Sequence, residues 1–293
     1  LFRSYMLMPH ACMLCNLNQV YRVIRLLDMD ELSDRHLVSK VMAFLAEADY
    51  SKTNSEIMGE TWKLITRETG QEDPYAEIKK RYNRMLLDEE EELRLSVKRS
   101  EDPLCGALRL AAAGNQIDFA GSREVRFVME EVYHRMNGML ALDDSGQLFK
   151  DLKDAKSVLY IGDNCGEIVL DKLFIEEIRK QYPDLSVTYG VRGEPIVNDV
   201  TILDARMTGM ERVAEVIENG SGALGTVLSD TSLQFRNVFE KADVIISKGQ
   251  GNFESLSECT DKNIYHLMMV KCERIAGILK APVGELICCH GVR

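Results

Sequence analysis

Hydrophobic and polar positions follow one rhythm in the first half of the chain and another in the second. Up to about residue 150 the apolar positions recur at helical spacing. Leu14, Leu17, Val20, Tyr21, Ile24 and Leu27 form a single stripe, the pattern of a helix with one face on a core. Residues 33–49 and 53–69 repeat that period. The second of these opens on Thr53 with Glu56 three positions later, a capping box in which hydroxyl and carboxylate each satisfy an orphan amide of the other. Pro74 opens a longer helical segment over 75–99, whose acidic run at 88–92 reads as a solvated face. Asp102-Pro103 starts a helix that stops at Gly114-Asn115. Residues 123–140 predict one more.

Beyond 150 short apolar runs rich in β-branched residues alternate with helical stretches. Strands are expected at 158–161, 186–189, 214–217, 244–247, 264–270 and 286–288, with helices around 167–181, 200–210, 229–241 and 253–258. Strands alternating with helices predict a parallel sheet covered on both faces. The expected fold class is α/β: a three-layer, Rossmann-like, mostly parallel sheet over 151–293, preceded by an all-helical subdomain over 1–150.

Charge narrows the partners. Thirty-six Lys and Arg stand against 47 Asp and Glu, a net charge of -11. An acidic chain without a concentrated basic stretch argues against nucleic acid and against an anionic membrane as main partner. No apolar run reaches the length of a membrane span, and the first residues lack the layout of a signal peptide. Eight cysteines without an export signal fit reduced thiols and a cytoplasmic location. Oligomeric state has no signature in the pattern.

A parallel sheet gathers its strand ends along one edge, where such folds bind ligands. Past the first predicted strand lie Asp163 and Asn164; past the second come Arg192 and then Asn198-Asp199. The third is followed by a loop at 219–225 with glycines at 220, 222 and 225, and the fourth by Lys248-Gly249-Gln250-Gly251-Asn252-Phe253-Glu254. Asp163, Asn164 and Asp199 together suit a hard divalent cation that takes oxygen ligands; each equally suits a helix cap. The glycine loop, with Ser221 and Gly222, reads as a phosphate cradle or as a flexible turn. Lys248 reads as an ammonium that stabilises charge on a phosphoryl group or as a surface lysine, and Asn252 and Glu254 as partners for sugar or alcohol hydroxyls. Asn115 and Asp118 read from chemistry alone as a helix end and turn. Cys12 and Cys15 form a single C-x-x-C, which needs two further ligands to hold zinc. Cys288, Cys289 and His290 are the candidates if the chain ends meet.

Four stretches follow in order: Asn115-Gln116-Ile117-Asp118-Phe119, Gly162-Asp163-Asn164-Cys165-Gly166-Glu167, Asn198-Asp199-Val200-Thr201 with Asp204-Ala205, and Ser247 to Glu254. Together they resemble the family first catalogued as domain of unknown function 89, whose members are also called damage-control phosphatases. The early C-x-x-C is similar to its largely prokaryotic branch, and the likeness runs to Cys272. The resemblance implies a phosphatase acting on small phosphorylated metabolites with magnesium, manganese, cobalt or nickel. It implies Asp163, Asn164 and Asp199 as metal ligands, with Asp163 and Lys248 catalytic and Lys248 on the phosphate. It also places Asn115 and Asp118 near the substrate, and Glu167, at the end of the Gly162–Glu167 motif, is a further substrate-binding candidate. Two other classes stay in view. One is an S-adenosylmethionine-dependent carboxyl methyltransferase, with the Gly162–Gly166 turn as nucleoside loop; the other is a non-catalytic module for a phosphorylated ligand.

Overall fold

The computed structural model describes residues 7–115, 125–136 and 138–291. In chain order the elements are α1 (His10–Leu26), α2 (Glu31–Glu47), α3 (Asn54–Thr69), α4 (Ala76–Asp88), α5 (Glu90–Arg99), α6 (Pro103–Gly114) and α7 (Val125–Met136). Then come β1 (Leu142–Asp143), α8 (Ser145–Asp154), β2 (Ser157–Ile161), α9 (Glu167–Gln181), β3 (Ser186–Val191), α10 (Ile202–Thr208) and β4 (Glu215–Glu218). The chain closes with α11 (Leu233–Lys241), β5 (Val244–Lys248), α12 (Gly249–Leu256), β6 (Ile264–Met269), α13 (Glu273–Leu279) and β7 (Leu286–His290).

Among the described residues the strands form one seven-stranded sheet in the order β1-β7-β6-β5-β2-β3-β4. Every pairing is parallel except β6 with β7. The expected mostly parallel α/β sheet is therefore present. Alternation along the strands sends Val158 and Tyr160 to one face with α6 and α9, and Leu159 and Ile161 to the other with Phe235, Phe239 and Leu256. Both faces are buried, the condition under which parallel strands lose a polar side.

Three features depart from the sequence reading. First, the sheet's edge strand β1 lies before residue 150, and two residues carry no readable periodicity. Second, the helical half is not one body. Helices α1–α3 enclose a core of their own, built from Val20, Val23, Leu37, Val41, Ile57 and Trp62, whereas α6 and α7 share the core of the sheet. Helix α6 can lie close on α9 because its Gly114 leaves room: a Cβ there would stand 2.9 Å from Glu167 Cγ. Third, segment 75–99 is two helices that break at Glu89. The acidic run is thereby at the start of α5, where carboxylates complement the helix dipole. It is not wholly solvated, because Glu90 pairs with Arg94 and with the buried Lys172.

From β2 the chain moves outward to β3 and β4, then crosses back to β5 and β6 on the other side. The strand order reverses between β2 and β5, and the carboxyl ends of these strands flank the crevice that such a reversal creates.

Candidate active site at the reversal of strand order

Three loops meet at that crevice. The loop after β2 carries Asp163 and Asn164, and the loop after β3 carries Asp199. They are laced by main-chain bonds: Val200 N donates to Asp163 O at 2.8 Å and Cys165 N to Asn198 O at 2.9 Å, and an isolated bridge pairs Asn164 with Asp199. Val197, two residues before Asp199, holds φ +46. A β-branched residue there is strained by roughly 1–3 kcal/mol. The strain is sustained because Ile196 and Val197 are sealed into the α1–α3 core. The helical bundle thus presses the Asp199 loop into place.

The third loop is the start of α12. Gly249 has φ +78, and a Cβ there would stand 1.9 Å from Asp163 Oδ2. Only glycine lets the β5 end approach that carboxylate. Gly162 is explained by protein instead, since its Cβ would meet Tyr189 Oη at 2.3 Å. The turn 162–166 is therefore shaped by packing under Tyr189 and by Gly166 at φ +70 ahead of α9. That accounts for its glycines without a nucleoside.

Asp163 Oδ2 accepts from Asn115 Nδ2 at 2.8 Å and from Asn164 Nδ2 at 2.7 Å. Asn164 Nδ2 also donates to Glu167 Oε2 at 2.9 Å. Asn115 is anchored from behind, its Oδ1 accepting from Met269 N at 3.0 Å. Lys248 is 0% exposed and donates to Ala111 O at 2.9 Å, to Glu167 Oε1 at 2.6 Å and to Asp171 Oδ1. Asp171 also accepts from Tyr160 and Tyr189. An ammonium has three donors, so Lys248 is saturated by protein and sits behind the carboxylates. Burial alone would lower its pKa, but Asp171 and Glu167 hold it raised.

Arg192, the residue after β3, is 1% exposed. Its Nε donates to Asp199 Oδ2 at 2.7 Å, and its Nη1 to Thr226 Oγ1 and Asn252 Oδ1, both at 3.2 Å. Its Nη2 lies 3.9 Å from Asp163 Oδ1 and has no hydrogen-bond partner.

Four buried carboxylates (Asp163, Glu167, Asp171 and Asp199) thus face two buried cations, Lys248 and Arg192. The excess is two negative charges, relieved in part by the fields of the exposed Lys271 and, at Asp199, of the buried Lys79. Burial, then Asp199 and Glu167, raise the Asp163 carboxyl to about 7. Burial also raises Asp199, against the pull of Arg192. Such a cluster must take up protons or a divalent cation. Two carboxylates and an amide oxygen fit a hard cation that keeps several waters. Among the described residues no group of three His, Cys, Asp or Glu side chains is arranged as a metal site.

The other sequence candidates lie around this centre. Asn252 is used inside the protein, donating to Gly162 O and Lys248 O while its Oδ1 accepts from Arg192 and Thr226. Ser221 and Gly222 line a cavity of about 530 Å³ under α3, with Lys52, Glu56, Lys63 and Glu194. The amides of Ser221 and Ala223 are taken by Asn219 Oδ1 and Ser221 Oγ. The loop does not open directly on a helix, because α11 begins only at Leu233. Glu254 is buried beside Gln250 and Arg274, its carboxyl raised by burial. It adjoins Cys12, whose thiol burial and Glu254 push up to about 11. The neighbour of Cys15 is Cys272, not the end of the chain. Cys288 and Cys289 are buried within β7, and all eight cysteines are free. Asp118 lies outside the described residues. Asp171 and Arg192 are the residues to which sequence reasoning gave no role. The signal for Asp171 was present: an acid four positions after Glu167 on an apolar stripe repels it unless a cation lies between them.

A family model described as the damage-control phosphatase ARMT1-like domain matches residues 8–287. The chain belongs to that family. It is similar to a damage-control phosphatase of Pyrococcus horikoshii, 34% identical over 289 residues that cover 97% of this chain and 98% of the relative. A damage-control phosphatase of Archaeoglobus fulgidus is 33% identical over 285 residues, covering 94% and 96%. The crystal structure of a DUF89 family protein from Pyrococcus horikoshii superposes with a TM-score of 0.91 at 32% identity, covering 98% of this chain and 99% of that one. Membership of the family supports a phosphatase. Among the described residues no helix is long and apolar enough to cross a membrane.

Proposed function

We propose that this chain is a metal-dependent phosphatase that hydrolyses phosphomonoesters of small metabolites, either sugar phosphates or damaged phosphorylated metabolites. The observation that carries the reading is the buried excess of two negative charges around Asp163 and Asp199, at the reversal of strand order. Asp163, Asn164 and Asp199 would hold magnesium, manganese, cobalt or nickel. Such a cation supplies positive charge to a phosphoryl group and lowers the pKa of water.

The chain's own residues do the positioning. Asn115 and Asn164 occupy Oδ2 of Asp163 and leave Oδ1 facing the crevice side of Arg192. Lys248 holds Glu167 and Asp171 in place, and Glu167 in turn orients the amide of Asn164. In this arrangement Lys248 is a positioning residue. Asn252 fixes the start of α12 against both the β2 and β5 ends.

The test is a phosphate-release screen over a library of phosphorylated metabolites, with the four cations in parallel, on the wild type and on Asp163→Ala. Release by the wild type that depends on the cation and disappears in the variant is expected. Binding of sugar phosphates without release would make the chain a binding module, and equal rates in the two proteins would remove the site.

A further inference from the structure

Taking the phosphatase reading as its starting point, we propose that Arg192 is the residue that grips the phosphoryl group, through its Nη2. The guanidinium carries five N–H donors in a rigid plane. Three are engaged: Nε with Asp199, and Nη1 with Thr226 and Asn252. These bonds fix two edges of the plane. The third edge, Nη2, is fully buried, has no partner, and points toward Asp163 Oδ1 across 3.9 Å. That separation is too long for a hydrogen bond. Asp163 is held from closing it by the two amides on its other oxygen.

A buried N–H pair without an acceptor is costly, by about 1–3 kcal/mol and more on a charged group. The arrangement is explained if an acceptor arrives with the substrate. An oxyanion brought to the Asp163–Asp199 edge presents an oxygen to Nη2, and a planar fork is suited to phosphoryl oxygens. Lys248, to which the motif resemblance assigned the phosphate, has no donor left to offer. Arg192 therefore has two tasks: Nε orients Asp199, and Nη2 binds the substrate. Lysine can keep a charge beside Asp199 but has no second planar edge to offer the phosphoryl oxygen.

The experiment compares wild type with Arg192→Lys in two binding measurements that need no turnover. Manganese affinity is read by electron spin resonance, and inorganic phosphate affinity by calorimetry with manganese present. The expected result is a manganese dissociation constant within threefold of wild type and a phosphate dissociation constant raised at least tenfold. Unchanged phosphate affinity overturns the proposal, as does a wild type that binds no phosphate. Loss of manganese binding in the variant makes Arg192 only a clamp on Asp199 and also overturns it. A wild type that binds phosphate in an Arg192-dependent way yet hydrolyses nothing would remove the phosphatase reading and leave this assignment standing. Should the variant fail to fold, crystals of the wild type soaked with magnesium and tungstate decide: an oxygen within hydrogen-bond distance of Nη2 is expected, and its absence refutes the assignment.

Discussion

Two buried cations stand on either side of Asp163 and are treated differently. Lys248 is closed: each of its donors has a protein acceptor, and its partners Glu167 and Asp171 are themselves bonded to Asn164, Tyr160 and Tyr189. Arg192 is open: one edge has no acceptor. A closed buried network is architecture, since satisfying every member removes the reason for anything else to bind. An open one is held by the fold in a state that a ligand completes. The difference separates scaffold from site within a few ångströms.

The sharpest way to break the comparison is to remove the open side. Asp163→Ala should lower phosphate release by three orders of magnitude or more, about 4 kcal/mol in the barrier, while circular dichroism and the thermal midpoint stay native or improve. It takes a mutually repelling charge out of the cluster. A collapse of the fold would show that Asp163 belongs to the closed, structural class.

Removing the closed side should do the opposite. Lys248→Met leaves Glu167 and Asp171 buried without their counter-ion, which costs about 3 kcal/mol or more of stability in denaturant unfolding. If the midpoint in guanidinium does not move, the network around Lys248 is not structural.

The third prediction uses pH. The Asp163 carboxyl rises from 3.8 to about 7 on folding, by burial and then by Asp199 and Glu167. An acid raised in the folded state binds its proton more tightly there. Its contribution to stability is full below about pH 4 and is lost as pH climbs through 7. The metal-free chain should therefore melt at a lower temperature at pH 8 than at pH 5.5. A divalent cation, which binds the charged form, should reverse that order. Its affinity should rise about tenfold per pH unit up to 7 and then level off. A flat affinity profile across that window would mean that Asp163 does not titrate on binding.

The smallest effect is a control outside both networks. Thr53→Ala breaks the capping box of α3, in which the Thr53 hydroxyl accepts from Glu56 N at 3.3 Å. It should cost about 1 kcal/mol and leave manganese affinity unchanged. A change in affinity would tie the rim of the helical bundle to the centre, through the Val197 segment it covers.

Much of this was legible in residues read one stretch at a time. The helix starts at Thr53 and Asp102, the alternation of strands with helices, and the gathering of Asp163, Asn164 and Asp199 all follow from local period and from the rule that parallel strand ends share an edge. Strand β1 was not legible, because two residues have no period, nor was the break at Glu89, because the acidic run suits a helix start as well as a helix face. The antiparallel β7 was hidden for the same reason: direction leaves no trace in a run such as Leu286-Ile287-Cys288.

What the sequence determined by itself was the kinds of element, the family motifs and the donor atoms available. What only the tertiary structure decided was which cation is saturated and which is left open. Lys248 meets Ala111, Glu167 and Asp171 across separations of 137, 81 and 77 residues, and Arg192 meets Thr226 and Asn252 across 34 and 60. Saturation of a buried donor depends on neighbours in space, and no periodicity along the chain encodes how many acceptors folding brings within 3 Å of a given nitrogen.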